Sequence, residues 1–177
     1  MSTLIATTLQ GINTIKYDAS TTAISIDSSG RMTMPNRPVF YAVNLGDTGG
    51  VTVSGNYFLS DKGTWTTPVN RGNIFNTSTG KFTCTVAGVY QLQGVVTVSA
   101  TSSDAGDGWG MKFYKNGSGL SNTELAYAPG PISGYESHTG ATIYAELNVN
   151  DYIEIGVDGT NDSFNFLHWA LGGHLIG

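Results

Sequence analysis

From residue 39 onward the chain divides into short runs in which apolar and polar residues alternate or apolar residues cluster. Clusters of Gly, Asn and Asp separate many of these runs. A period of two places successive side chains on opposite faces of a strand. The pattern predicts strands at 39–45, 52–59, 81–83, 88–98, 111–115, 124–128, 141–147, 152–157 and 164–176, the last with breaks. Turn chemistry fills the gaps, at Asp47-Thr48-Gly49-Gly50, Asn76-Thr77-Ser78-Thr79-Gly80, Asn116-Gly117 and Asp158-Gly159-Thr160-Asn161-Asp162. Asn116-Gly117, after Phe113-Tyr114-Lys115, is the strongest hairpin signal. In 88–98 the alternate residues Tyr90, Leu92, Val96 and Val98 are expected to face a core, with Gly94 leaving a gap for a neighbouring aromatic. Strands of this number and spacing fit an all-β jelly-roll sandwich of two antiparallel sheets.

The first 36 residues read differently. They are dominated by Thr, Ser and Ile, and Tyr17 is their single aromatic. Ala23-Ile24-Ser25-Ile26-Asp27 alternates, Ser28-Ser29-Gly30 turns, and Arg31-Met32-Thr33-Met34 alternates again, which predicts a short hairpin. Pro35-Asn36-Arg37-Pro38 then punctuates the chain. The pattern therefore divides into an extended N-terminal arm or stem, 1–36, and a head, 37–177. Ile12, Ile15, Ile24, Ile26, Met32 and Met34 are too few for a core of their own and need a partner surface, either copies of the arm or another protein.

Composition sharpens this picture. Charged residues make up 12% of the 177, while Gly alone numbers 24, which leaves little material for helix. The net charge of −5 gives no basic surface for phosphate backbones, so no nucleic-acid partner is expected. No apolar run reaches the ~18 residues of a membrane span, and the start MSTLIATTLQ lacks the basic and apolar regions of a signal peptide. No membrane insertion is expected. The single cysteine, Cys84, cannot close an internal disulfide and is expected as a small buried apolar residue.

The run Phe75-Asn76-Thr77-Ser78-Thr79-Gly80-Lys81-Phe82-Thr83-Cys84-Thr85-Val86-Ala87-Gly88-Val89-Tyr90 resembles the signature of C1q-type globular heads. Arg37-Pro38-Val39-Phe40-Tyr41-Ala42, Phe113-Tyr114-Lys115-Asn116-Gly117, the segment from Ala141 to Ile155, and Gly173-His174-Leu175-Ile176 are similar to further pieces of that family, in its order. The Thr22–Pro35 segment resembles a connector that precedes such heads in structural proteins of tailed bacteriophages. No collagen-like Gly-X-Y stalk is present, which points away from an animal complement protein. The resemblance implies a C1q/TNF-like jelly roll that assembles as a homotrimer. It further implies a virion structural protein, made in the host cytoplasm and displayed on the particle exterior, as a capsid decoration, head fibre or tail-fibre tip. Residues 1–36 would bind other virion proteins. The alternatives are a carbohydrate-binding host-recognition adhesin and a secreted bacterial C1q-like protein.

Site chemistry is sparse. The three histidines, His138, His168 and His174, form no ligand spacing, and no Ser sits in a nucleophile elbow, so no enzyme, catalytic residue or cofactor is expected. Asp151, Glu146 and Glu154 read as outward-facing solubilisers. The oxygen-rich turns 104–108 and 158–162 make calcium the candidate ion, with Asp158, Asn161 and Asp162 as candidate metal ligands; simple Asp/Asn-Gly turns are the plainer reading. Trp65 and Trp109, placed in loops, are candidate contacts for a host surface glycan. Alternation through 164–171 puts Leu167, Trp169 and Leu171 in the core and turns Phe164, Phe166 and His168 outward. The resemblance implies that this outward face lies on the threefold axis, where Tyr144 joins these three in the expected trimer interface.

Overall fold

The structure is a computed structural model that describes residues 14–16, 18–20, 22–46, 48–100, 108–120, 126–129 and 135–177. Every element among them is a β-strand. The chain falls into two compact units, Met1–Arg37 and Pro38–Gly177.

The first unit holds β1 (Thr14–Lys16), β2 (Thr22–Ile26) and β3 (Met32–Thr33), an antiparallel three-stranded sheet in that order. The expected hairpin is β2–β3. Asp27 closes its turn: one carboxylate oxygen accepts from the backbone N–H groups of Ser29 (2.8 Å) and Arg31 (3.0 Å), the other from Arg31 Nε (2.7 Å). These donors, the Arg31 backbone N–H first, hold the Asp27 carboxyl below its ordinary pKa. Ile15, Met32 and Met34 stay exposed.

The second unit carries β4 (Val39–Asn44), β5 (Gly50–Phe58), β6 (Trp65–Arg71), β7 (Phe75–Asn76), β8 (Lys81–Thr83), β9 (Gly88–Ala100), β10 (Gly108–Lys115), β11 (Ser118–Gly119), β12 (Ala126–Pro129), β13 (Glu136–Leu147) and β14 (Tyr152–Leu175). All ladders are antiparallel, and β14 organises them. Its first part pairs with β10, β8 and β5; its second pairs with β4 and β9, beyond which lie β6 and β13. One 24-residue strand thus belongs to both layers of the sandwich.

The expected turn at 158–162 is part of this strand. A register shift between Thr160 and Asp162 opposite β5 absorbs its irregular residues. Bulges of this kind let a strand change sheets. The loop expected around Trp65 is likewise a strand, β6. It sits at the edge, and Pro68 falls where its ladder with β4 shifts register, so the missing N–H breaks no ladder bond.

Rings fill much of the interior, most of them in two connected groups. Phe40 stacks on Phe82 (4.7 Å) and Phe75 (5.5 Å), and Trp65 joins Phe75 (5.2 Å) to Trp169 (6.4 Å). Tyr57 stacks on Phe166 (5.3 Å), which meets Phe164, which meets Trp109. Tyr90, Leu92, Val96 and Val98 are fully buried, and so is Cys84. Burial and the adjacent Cys84 push the Tyr90 phenol pKa far up. The gap at Gly94 is filled from the facing layer, because a Cβ there would stand 2.9 Å from Met111 Sδ and 3.2 Å from Phe113 Cζ.

Two turns read from sequence carry the expected geometry. Asn116 (φ 54°) and Gly117 (φ 79°) close the β10–β11 hairpin with both central residues left-handed. Gly80 has φ 61°, and a Cβ there would collide with the Ser60 carbonyl and the Trp65 indole. That indole donates to the same carbonyl at 2.9 Å. Replacing Gly80 by Ala therefore adds both backbone strain and a clash beneath Trp65. It is expected to cost at least about 2 kcal/mol of unfolding free energy, well above the ~1 kcal/mol of an ordinary Gly-to-Ala penalty at positive φ. Chemical denaturation followed by tryptophan fluorescence measures the difference.

Candidate interaction face

The outward face of the layer β6–β4–β14–β9–β13 carries five of the exposed large hydrophobic residues of the head among the described residues. Registers align its side chains in rows across five strands. One row runs Tyr144, Gln91, His174, Val39, Arg71; the next runs Thr142, Gln93, Gly172, Tyr41, Val69; a third begins Gly140, Val95, Ala170, Val43. Val69, Tyr41, Val95 and Tyr144 are exposed large hydrophobics on this face, and Val89 extends it. Tyr144 is 68% exposed. A concentration of exposed apolar side chains on one sheet face, interleaved here with neutral Gln and Thr, points to an interaction surface.

A fourth row holds His138, Thr97 and His168. Thr97 Oγ1 and His138 Nδ1 share a hydrogen bond of 2.9 Å, and His138 Nε2 lies 3.8 Å from Glu136. All three histidines stand on this one face. Sequence reasoning missed this clustering, because it depends on the pairing of β13 with β9 and of β9 with β14.

Of the four residues expected at a trimer interface, Tyr144 and His168 lie exposed on this face. Phe164 and Phe166 do not: they are 3% and 0% exposed and belong to the core. The expected phase fails at Leu167. Phe166 lies opposite Val98 and His168 opposite Thr97, so Leu167 has no residue across from it. This bulge resets the alternation, and Phe164 and Phe166 point inward along with Trp169 and Leu171.

The other expected site residues are relocated too. Trp65 (4% exposed) begins β6 and Trp109 (1% exposed) lies in β10; both rings are core, so neither stacks on a glycan. Asp158 pairs with Lys112 Nζ across β10 and β14. The side chains of Asn161 and Asp162, and the turn 104–107, lie outside the described residues. No group of three or more His, Cys, Asp or Glu converges on a metal position among the described residues.

Two acids read as solubilisers are structural. Glu154 is 3% exposed; Ser60 Oγ donates to its carboxylate at 2.5 Å, and Lys81 Nζ stands 3.3 Å away. It is covered because Leu59 donates its backbone N–H to the Ile155 carbonyl, laying Ser60 over the strand. Asp151 receives Lys115 Nζ, Asn116 Nδ2 and the Asn148 backbone N–H, each at 2.8 Å. Lys115 first, then Asn116 and Asn148, lower the Asp151 pKa to about 2.

A depressed folded pKa gives stability that is present above the unfolded value of 3.8 and is lost as pH falls through about 2. The melting temperature is therefore expected to fall between about pH 4 and pH 2. Asp151→Asn lowers it at pH 7 and removes that part of the acid slope, as calorimetry across the range would read. For the corrected core residue, Phe166→Ala is expected to cost about 3–5 kcal/mol of unfolding free energy, the penalty of emptying an aromatic core position. An unchanged denaturation midpoint would refute that placement.

Comparison with known proteins follows the same layers. A family model described as the C1q domain matches residues 64–165. No curated protein matches the sequence. Solved structures similar to this chain include the globular domain of the zebrafish complement 1qA protein (14% identity, TM-score 0.52, 79% of this chain and 98% of that one). Murine APRIL at pH 8.0 is similar as well (13%, 0.54, 79% and 99%), as is the Eiger TNF from S. frugiperda (16%, 0.51, 80% and 94%). The likeness to these structures is one of fold, a C1q/TNF-like jelly-roll sandwich.

Proposed function

Because the chain belongs to the C1q domain family, we propose that its head assembles as a homotrimer through the outward face of the β6–β4–β14–β9–β13 layer. We further propose that this trimer is a structural knob on the exterior of a tailed phage particle, attached through residues 1–36. The observation that carries the assembly is the concentration of exposed Tyr41, Val69, Val89, Val95 and Tyr144 on one sheet face. Burying such side chains contributes on the order of 1.5–3 kcal/mol each for the largest, multiplied over three contacts. The particle is supported by the likeness of Thr22–Pro35 to phage connectors and by the arm's exposed Ile15, Met32 and Met34, which offer apolar rows to another surface.

The adhesin alternative is weakened by the burial of Trp65 and Trp109, the rings it would have used. Mechanically, the head needs only to stay folded and closed. Its aromatic interior supplies rigidity, and its charge-poor exterior depends little on ion pairs that salt would screen.

Light scattering on the purified chain is expected to give three times the chain mass of 18.6 kDa. Mass spectrometry of purified virions from the encoding phage is expected to find the protein. A chain beginning at Arg37 should keep the assembled head and lose incorporation into particles. Normal incorporation of that truncation would remove the arm from attachment.

A further inference from the structure

The candidate face carries two adjoining hollows, of about 170 and 140 Å³, that share Tyr41, Gln93 and Gly172. Each is well below the roughly 300 Å³ at which small-molecule sites begin. They run along β14, where Ala170 and Gly172 lie low between Tyr41 on one side and Gln93 and Val95 on the other.

Gly172 is less tightly enclosed within one chain than the other glycines of this layer. Gly94, Gly140 and Gly173 are each held small by a neighbour under 3 Å from a built Cβ: Met111 Sδ, the Gly94 carbonyl and Leu92 Cδ2. At Gly172 the nearest atoms are Tyr41 Cδ2 at 3.3 Å, the edge of a half-exposed ring that can turn aside, and the Phe40 carbonyl oxygen at 3.4 Å, and the backbone there is not left-handed. Glycine in a strand interior weakens it by roughly 0.5–1 kcal/mol, and marks places where another chain comes close.

The same chain offers what would fill the hollow. Tyr144 stands on β13, an edge strand that pairs only with β9 among the described residues, and it does not line the hollow of its own chain. Next to it on the same outward face is exposed Glu146. At the opposite edge, beyond Tyr41 and Val69, β6 ends in exposed Arg71. The two edges carry opposite charges, Glu146 on β13 and Arg71 on β6. A contact that joins unlike surfaces of identical copies is head-to-tail and not a two-fold pair, and it forms a ring where its rotation closes.

We infer that the hollow over Gly172 is a socket for Tyr144 of a second copy, with Glu146 of that copy meeting Arg71. This rests on the trimer reading above and names its lock. Size fixes the occupant as a side chain, and the paired edge charges fix it as another copy of this chain rather than a foreign protein.

The test measures trimer dissociation on dilution by analytical ultracentrifugation, with circular dichroism to check that each variant is folded. Tyr144→Ala and Gly172→Val are each expected to raise the half-dissociation concentration by about tenfold or more, with the β-sheet spectrum unchanged. Glu146→Arg and Arg71→Glu should each weaken assembly, and the double exchange should restore it, which loss of fold cannot mimic. A wild-type chain that is monomeric overturns the trimer reading itself. A wild-type trimer whose dissociation is unmoved by Tyr144→Ala, or single charge variants that the double exchange does not rescue, overturns the socket and leaves the trimer reading standing.

Discussion

The phase of β14 decides what this head shows to its surroundings. Five strands of the two layers hydrogen-bond to it, and its side chains supply Ile153, Ile155, Val157, Phe164, Phe166, Trp169 and Leu171 to the interior. A strand that runs 24 residues through a twisted sandwich cannot keep one alternation and still face one core throughout. The shifts beside Thr160 and at Leu167 reconcile the two demands. Removing the second would send Trp169 and Leu171 outward and draw His168 and Gly172 inside. The outward face, with its small residues at 170 and 172, exists because of that one unpaired residue.

This explains which parts of the fold are legible in the sequence. Alternation needs no knowledge of partners, so β4, β5, β8 and β9 lie close to their expected bounds, and the inward row Tyr90, Leu92, Val96 and Val98 is as read. Turn chemistry is equally local, as at Asn116-Gly117 and Gly80. A bulge is not local. Nothing in Phe164-Asn165-Phe166-Leu167-His168 says which residue will go unpaired, because that depends on the pairing with β9 opposite. The same holds for Asp158-Gly159-Thr160-Asn161-Asp162, which has the composition of a turn yet runs as a strand because β5 and β10 pair on either side of it.

The site was less legible than the fold, for a related reason. Tryptophans among Gly, Thr and Asp resemble exposed binding rings, but a sandwich with a small interior uses whatever large rings it has. Trp65 is drawn inward by the Ser60 carbonyl and the rings of Phe75 and Trp169. Glu154 has a similar history. Its alternation is outward, but outward there is not solvent, because Phe58 packs against Tyr114 beside it and Ser60 closes over the carboxylate. Charge on a strand predicts exposure only where no loop crosses that face.

Once those rings are placed inside, what remains outside is informative. The exposed tyrosines of the described residues are Tyr41, Tyr135 and Tyr144, and two of them share the outward face of the β6–β4–β14–β9–β13 layer with three valines and all three histidines. The opposite layer shows instead a set of internal ion pairs, Lys112 with Asp158 and Lys115 with Asp151, together with Lys81 over the Tyr152 ring. Those groups satisfy one another and ask nothing of a neighbour. The asymmetry follows from the physics of each surface: paired charges keep a face in water, whereas a flat apolar face with a glycine-floored hollow gains free energy only by meeting a matching surface. A chain with so few charges has placed them where separation is wanted and withheld them, except at its two edges, where contact is wanted.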